Sequence, residues 1–318
     1  MLIYFLLILG FIFLINGADL LVDGSSSLAK RYRIPDLVIG LTIVAFGTSS
    51  PELILNIIAS LQGASDLAIG NIIGSNTSNI LLITGIAAII YPIQVQQTTI
   101  KREVPFSLIT IGILFLLAND FLFGSSPISY LNRVDGLLLI IFFGIFMYYS
   151  FGLAKRKDKE DVEFEVMPMS KSIFYIIIGI VGLTVGGKWI IDSATALAQQ
   201  FGLSDALIGL TLLAIGTSLP ELATSIVAAV KRKTDLAIGN IVGSNIFNIF
   251  LILGISSLIK PLIFNPTLNT DILICFLAGC TLFYFALTGK KKRHIERWEG
   301  AILLSAYFIY IGFLIWRG

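Results

Sequence analysis

Residues 36–85 read DLVIGLTIVAFGTSSPELILNIIASLQGASDLAIGNIIGSNTSNILLITG, and residues 205–254 read DALIGLTLLAIGTSLPELATSIVAAVKRKTDLAIGNIVGSNIFNIFLILG. Aligned without a gap at an offset of 169, they are identical at 29 of 50 positions. Chance matching of apolar helices does not reproduce GTSxPE, DLAIGN and GSNxxN in the same order, so the chain carries an internal duplication. In each copy a single carboxylate, Glu52 or Glu221, interrupts an apolar run.

The rest of the chain is just as apolar. Of its 318 residues 56% are hydrophobic and 13% charged, with a mean hydropathy of +0.91. Soluble domains carry about 25% charged residues, so the solvent here is largely lipid. A cytosolic enzyme, a nucleic-acid binder and a disordered protein are excluded. A net charge of +2 calls for no polyanionic partner. Cys275 and Cys280 share one apolar run and read as small buried hydrophobes, which leaves no disulfide framework. Residues 2–15 are apolar, but no basic residue precedes them and no small-x-small cleavage site follows, so the first span is expected to be retained.

A spanning helix needs about 20 apolar residues. That rule gives ten spans: 2–28, 37–61, 67–91, 104–119, 134–154, 172–200, 206–230, 236–259, 270–288 and 298–316. Runs such as LLLIIFFGIFMYY (137–149) do not alternate as barrel strands would, so an all-α integral membrane fold is expected. The hydrophilic stretch 155–171 reads as a solvated linker between residues 1–154 and 172–318. Cytoplasmic loops are enriched in Lys and Arg. With both termini outside, 18 of the 22 basic residues fall in inside loops and only Arg133, Lys260 and Arg317 outside; Lys188 lies within a span. The repeat offset contains five spans, an odd number, so the second copy enters the membrane from the opposite face. The expectation is two five-helix repeats of inverted topology, the architecture of secondary transporters with sites near the midplane.

Glu52 and Glu221 fall near mid-bilayer, where a carboxylate costs about 2.5–3.5 kcal/mol on insertion scales. Each follows a proline, Pro51 or Pro220, which removes an N–H and displaces the carbonyl four residues back. A kink with free carbonyls is expected at 45–47 and 214–216. Thr48 and Ser49 reach Glu52 at i, i+4 and i, i+3, and Thr217 and Ser218 reach Glu221 in the same way. Such hard oxygens suit Ca²⁺ or Na⁺ rather than Zn²⁺ or Cu. The alternative, carboxylates that bond other helices or sit protonated, lacks an unpaired membrane cation as partner. Ser75 with Asn79, and Ser244 with Asn248, share faces of the next helix and either bond between helices or face the cation. Gly70, Gly74, Gly239 and Gly243 form small faces for close helix approach. Asn71, Asn76, Asn240 and Asn245 are expected to be structural, stabilising helix ends or loops, and Asp19, Asp23 and Asp192 to lie at the interfaces. His294 falls in a solvated turn. Trp189, Trp298 and Trp316 read as interface anchors. No nucleotide-binding motif is present, which excludes an ATP-driven pump.

In these residues the chain resembles the cation/calcium exchanger superfamily, and within it the prokaryotic sodium/calcium exchangers. The paired GTSSPE/GTSLPE and GSNxxN signatures carry the likeness, which covers the whole chain. The resemblance implies cation ligands at Thr48, Ser49, Glu52, Ser75 and Asn79, and at Thr217, Ser218, Glu221, Ser244 and Asn248. Backbone oxygens of Ala45 and Ala214 join them. It also implies that the helices at 2–28 and 172–200 move against the other eight. Some members carry Asp where this chain has Asn248, an acid associated with K⁺ in potassium-dependent relatives; its absence here argues against K⁺ coupling. The acid that the proton-coupled branch carries soon after GN is also missing. The expected function is Na⁺/Ca²⁺ antiport in a prokaryotic plasma membrane, electrogenic and K⁺-independent, with no cofactor and no nucleotide. A Ca²⁺ (or other divalent)/H⁺ antiporter is the alternative, and a passive cation channel the third. A monomer suffices, and nothing in the sequence fixes an oligomer.

Overall fold

The computed structural model describes residues 2–120, 129–154, 166–200, 214–288 and 293–317. Its helices are α1 (Leu2–Tyr32), α2 (Asp36–Thr48), α3 (Ser50–Gln62), α4 (Ser65–Ile90), α5 (Val104–Leu117), α6 (Arg133–Ala154), α7 (Met169–Gln200), α8 (Ala214–Thr217), α9 (Leu219–Val230), α10 (Thr234–Ile259), α11 (Leu268–Thr288) and α12 (Arg297–Arg317). Among the described residues seven are long and apolar enough to cross a membrane, and the bent pair α2–α3 makes an eighth. Two expected spans fall short as described. α5 has 14 residues and follows a π-helical turn, Thr99–Glu103, that carries Lys101, Arg102 and Glu103. The beginning of the span expected at 206–230 lies outside the described residues, which leaves α9 as a 12-residue apolar helix.

α4 and α10 form the centre: 83% of each apolar window is buried, against 33% in α1 and 22% in α6. Their small and polar side chains, GNxxGSN, admit close neighbours. α1 and α6 instead turn Phe5, Ile8, Leu137 and Ile141 outward. On a protein in water such a surface would aggregate; in lipid it is the solvated face. The multi-pass membrane character of the chain follows from that arrangement.

Glycines set the α1–α7 contact. A Cβ on Gly17 would lie 2.7 Å from the Leu183 nitrogen, and one on Gly179 would lie 2.7 Å from the Leu21 nitrogen. Gly10 and Gly186 meet in the same manner, so the two helices run antiparallel with backbones touching. Gly239 packs on α2, where a Cβ would come 2.6 Å from the Leu37 carbonyl, as the small-face reading expects. The counterparts around Gly70 and Gly74 fall at 206–213, outside the described residues. Single π-helical turns interrupt α2 (Gly40–Val44), α4 (Asn79–Ile83) and α10 (Phe247–Leu253).

Two short antiparallel strand pairs tie the loops together. β1 (Ile93–Gln94) pairs with β4 (His294–Ile295), and β2 (Tyr130–Leu131) pairs with β3 (Leu262–Ile263). His294 therefore sits in a strand rather than the expected turn, because its backbone finds partners in the 93–94 segment. Cys275 and Cys280 are free thiols. Lys188 and Asp192 form an exposed pair at 2.9 Å, one turn apart on α7. Asp19 and Asp23 on α1 hold Lys231 at 2.6 and 2.8 Å.

Candidate cation site

The α2–α3 pair bends by 47° around Ser49, which has φ −83 and ψ 6. Pro51 stands in the first turn of α3, where a missing N–H breaks no helical bond. Ser218, at φ −85 and ψ 3, and Pro220 repeat the break before α9. Each break turns a Thr-Ser pair and a Glu inward together. Thr48, Glu52, Ser75, Asn79, Glu221, Ser244 and Asn248 are wholly buried, and Ser49, Thr217 and Ser218 nearly so.

These side chains meet across the two repeats. Ser49 Oγ donates to Glu221 Oε1 at 2.8 Å, and Ser75 Oγ donates to Glu52 Oε1 at 3.4 Å. Ser218 Oγ donates to Ser75 Oγ at 3.1 Å, and Thr48 Oγ1 lies 3.4 Å from Ser244 Oγ. Asn248 Nδ2 donates to Ser75 Oγ at 3.2 Å. The structure thus joins Thr48, Ser49, Glu52, Ser75, Ser218, Glu221, Ser244 and Asn248 in one cluster. Asn79 links to it through Asn245 and Asn76, whereas Thr217 bonds Asn71, whose Nδ2 has no partner among the described residues. The carbonyls expected to stand free at the first kink are partly used: Ala45 O accepts the Ser49 N–H at 2.9 Å, and Gly47 O accepts Ser50 Oγ at 2.8 Å. Ala214 opens α8; its side-chain surroundings lie outside what is described.

Asn71, Asn76, Asn240 and Asn245 are a correction. They sit mid-helix in the buried centre, not at helix ends. Thr48 Oγ1 donates to Asn240 Oδ1 at 3.0 Å, and Thr217 Oγ1 donates to Asn71 Oδ1 at 3.2 Å, one bond the image of the other under the repeat. Their signal in the sequence was the GN of each DLAIGN for Asn71 and Asn240 and the GSN that follows for Asn76 and Asn245, and neither gives a hint of which helix face is occupied.

Several acceptors are left over. Glu52 Oε2, Glu221 Oε2, Asn79 Oδ1 and Asn248 Oδ1 are buried with no hydrogen-bond partner among the described residues. A buried polar atom without a partner costs about 1–3 kcal/mol, and more when charged. Both carboxylates also lack a buried ammonium or guanidinium within salt-bridge distance among the described residues. Among the described residues no group of three His, Cys, Asp or Glu side chains assembles there; the other oxygens in the cluster are hydroxyls and amides. A cavity of about 580 Å³ opens elsewhere, beside Tyr91, Gln94, His294 and Trp298. It shares no residue with the cluster and lacks its buried carboxylates.

The sequence model of the sodium/calcium exchanger protein family matches residues 2–152 and 171–316. The chain belongs to the sodium/calcium exchanger family. Exchangers of this family are membrane antiporters, not enzymes, and the transported ions are their substrates. The chain is 38% identical over 314 residues to the putative antiporter CaxA of Alkalimonas amylolytica, covering 95% of each chain. It is 33% identical over 342 residues to the sodium/calcium exchanger MaX1 of Methanosarcina acetivorans, covering 97% of each. Among solved structures it superposes on the sodium-calcium exchanger NCX_Mj with a TM-score of 0.84 at 32% identity, covering 98% of both chains. Within this exchanger the doubled GTSxPE and GSNxxN motifs form the buried cluster described above.

Proposed function

We propose that this chain is a secondary antiporter that exchanges Na⁺ for Ca²⁺ across the plasma membrane by alternating access, electrogenically and without K⁺. The observation that carries the proposal is the set of four unpartnered oxygens, Glu52 Oε2 and Asn79 Oδ1 from one repeat and Glu221 Oε2 and Asn248 Oδ1 from the other. A proton can satisfy a carboxylate, but an amide oxygen stays unprotonated near neutrality and needs a donor or a metal ion. That favours metal cations over H⁺ as both cargo and coupling ion. Two carboxylates neutralise one Ca²⁺, and the hydroxyls and amides bring the oxygens towards the six to eight that it takes. The ligands in this reading are Thr48, Ser49, Glu52, Ser75 and Asn79 with Thr217, Ser218, Glu221, Ser244 and Asn248, joined by backbone oxygens of Ala45 and Ala214.

The reading includes ten spans in two inverted units, 1–154 and 172–318, joined by a cytoplasmic linker at 155–171, with both termini outside. The strand pairs support it. β1 and β4 join two loops that the basic residues place inside; β2 and β3 join two loops placed outside. β3 is β1 displaced by 169 residues, the same offset that relates Gly10 to Gly179 and Gly17 to Gly186. The test is ⁴⁵Ca²⁺ uptake into Na⁺-loaded proteoliposomes with a Na⁺, K⁺ or pH gradient as the only variable. Uptake driven by Na⁺ alone is expected. Uptake driven by a pH gradient without Na⁺ establishes the proton alternative instead, and uptake with no gradient dependence a channel.

A further inference from the structure

The second helix of each repeat carries an asparagine three residues before Asn79 or Asn248, and these two cross the repeat boundary. Asn76 Nδ2 donates to the backbone carbonyl of Asn245 at 3.2 Å. A carbonyl only accepts, so this bond fixes which end of the Asn76 amide points where. Its Oδ1 then receives Asn248 Nδ2 at 3.0 Å. Asn248 Nδ2 is used on that side and by Ser75 Oγ, and Asn248 Oδ1 is the atom left without a partner. In the other repeat Asn79 Nδ2 donates to Asn245 Oδ1 at 3.0 Å, the image of the Asn248–Asn76 bond, and Asn79 Oδ1 is left over. All four asparagines are buried.

We propose that Asn76 and Asn245 are positioning residues that hold the Asn248 and Asn79 amides by their NH₂ ends, leaving the two oxygens for the cation, and that Asn76 admits an amide but not a carboxylate at 248. An amide turned the other way would offer N–H donors to a cation and repel it. A carboxylate at 248 would set an acceptor against Asn76 Oδ1, whose orientation is locked by Asn245 O. The buried cluster is thereby held at two negative charges. This inference rests on the cation-site reading above.

The test is a double-mutant cycle on full-length protein in proteoliposomes, reading the apparent KM for Ca²⁺ and the saturating rate of Na⁺-driven ⁴⁵Ca²⁺ uptake. N76A is expected to raise the KM about tenfold, the effect of losing one well-placed buried hydrogen bond, with a smaller change in the saturating rate. In an N248A background N76A should add nothing, because the amide it orients is gone. N248D should lose uptake, and N76A should restore part of it by removing the opposed acceptor, although N76A alone is harmful. A structural role would instead let N76A act by its full factor in every background, and that result overturns the proposal. So does an unchanged KM in N76A or N248A. N76S, smaller and without the amide, serves in place of N76A if the latter does not fold. E52Q, measured alongside, separates the two readings: uptake surviving in E52Q removes the cation site itself, whereas loss in E52Q with an additive cycle removes only the clamp.

Discussion

Asp271 lies buried near the start of α11, where the Arg317 guanidinium reaches it at 2.9 Å and the Tyr310 hydroxyl donates to it at 3.2 Å. Removing Arg317 leaves that carboxylate with one neutral donor. R317L is therefore expected to lower stability by about 1–3 kcal/mol, read as a lower midpoint of thermal unfolding in detergent, while Y310F costs about 1 kcal/mol. Legibility divides sharply at this scale. Glu52 and Glu221 announce themselves in the sequence because an acid inside an apolar run has few structural uses. Asn76 and Asn240 do not, since an amide is tolerated at a helix end and at a packed interface alike. What decides between them is which face of α4 or α10 each one occupies, and that depends on the helices packed around them.

At the scale of elements, the seven long spans and the bent pair that the structure describes were readable from hydropathy, and so was the kink before each glutamate. The π turns were not: one extra residue per turn in α4 begins at Asn79 and in α10 spans Asn248, and no periodicity rule locates it. π turns cluster at functional sites, and both lie on the candidate ligands. The α1–α7 contact, which the structure rather than the sequence reveals, rests on its glycines and makes a clean prediction. G179L drives a side chain into the α1 backbone, so it should abolish a monodisperse peak in size-exclusion chromatography. G144A, on the exposed side of α6 with nothing within 4 Å of the added Cβ among the described residues, should stabilise by about 0.5–1 kcal/mol in thermal unfolding. The ion cluster between α1 and the α9–α10 loop behaves differently. Burial lowers the Lys231 pKa, but the Asp19 and Asp23 carboxylates more than offset it, so the net shift is upward. A raised lysine contributes stability below its unfolded value and loses it as pH rises through the folded one. The gap in thermal midpoint between wild type and K231Q should hold through neutral pH and close above the ordinary lysine value of 10.5. At this partly exposed site it corresponds to less than about 1 kcal/mol.

For the whole molecule, the proposed site holds two carboxylates, which would balance one Ca²⁺, and Asn79 and Asn248 add no charge. If more than two Na⁺ replace that Ca²⁺, every cycle moves net charge, and a unit charge crossing 100 mV is worth about 2.3 kcal/mol. An inside-positive valinomycin potential should speed Ca²⁺ entry into Na⁺-loaded vesicles, whereas entry indifferent to potential with Na⁺ dependence intact marks an electroneutral two-for-one exchange. The central claim is that one carboxylate from each repeat holds the same transported Ca²⁺. Ca²⁺/Ca²⁺ exchange in Na⁺-free proteoliposomes, followed with ⁴⁵Ca²⁺, reads it without involving the coupling ion. E52Q and E221Q, each verified as a monodisperse folded protein, should both fall to the rate of empty liposomes. A near wild-type rate in either one would contradict it.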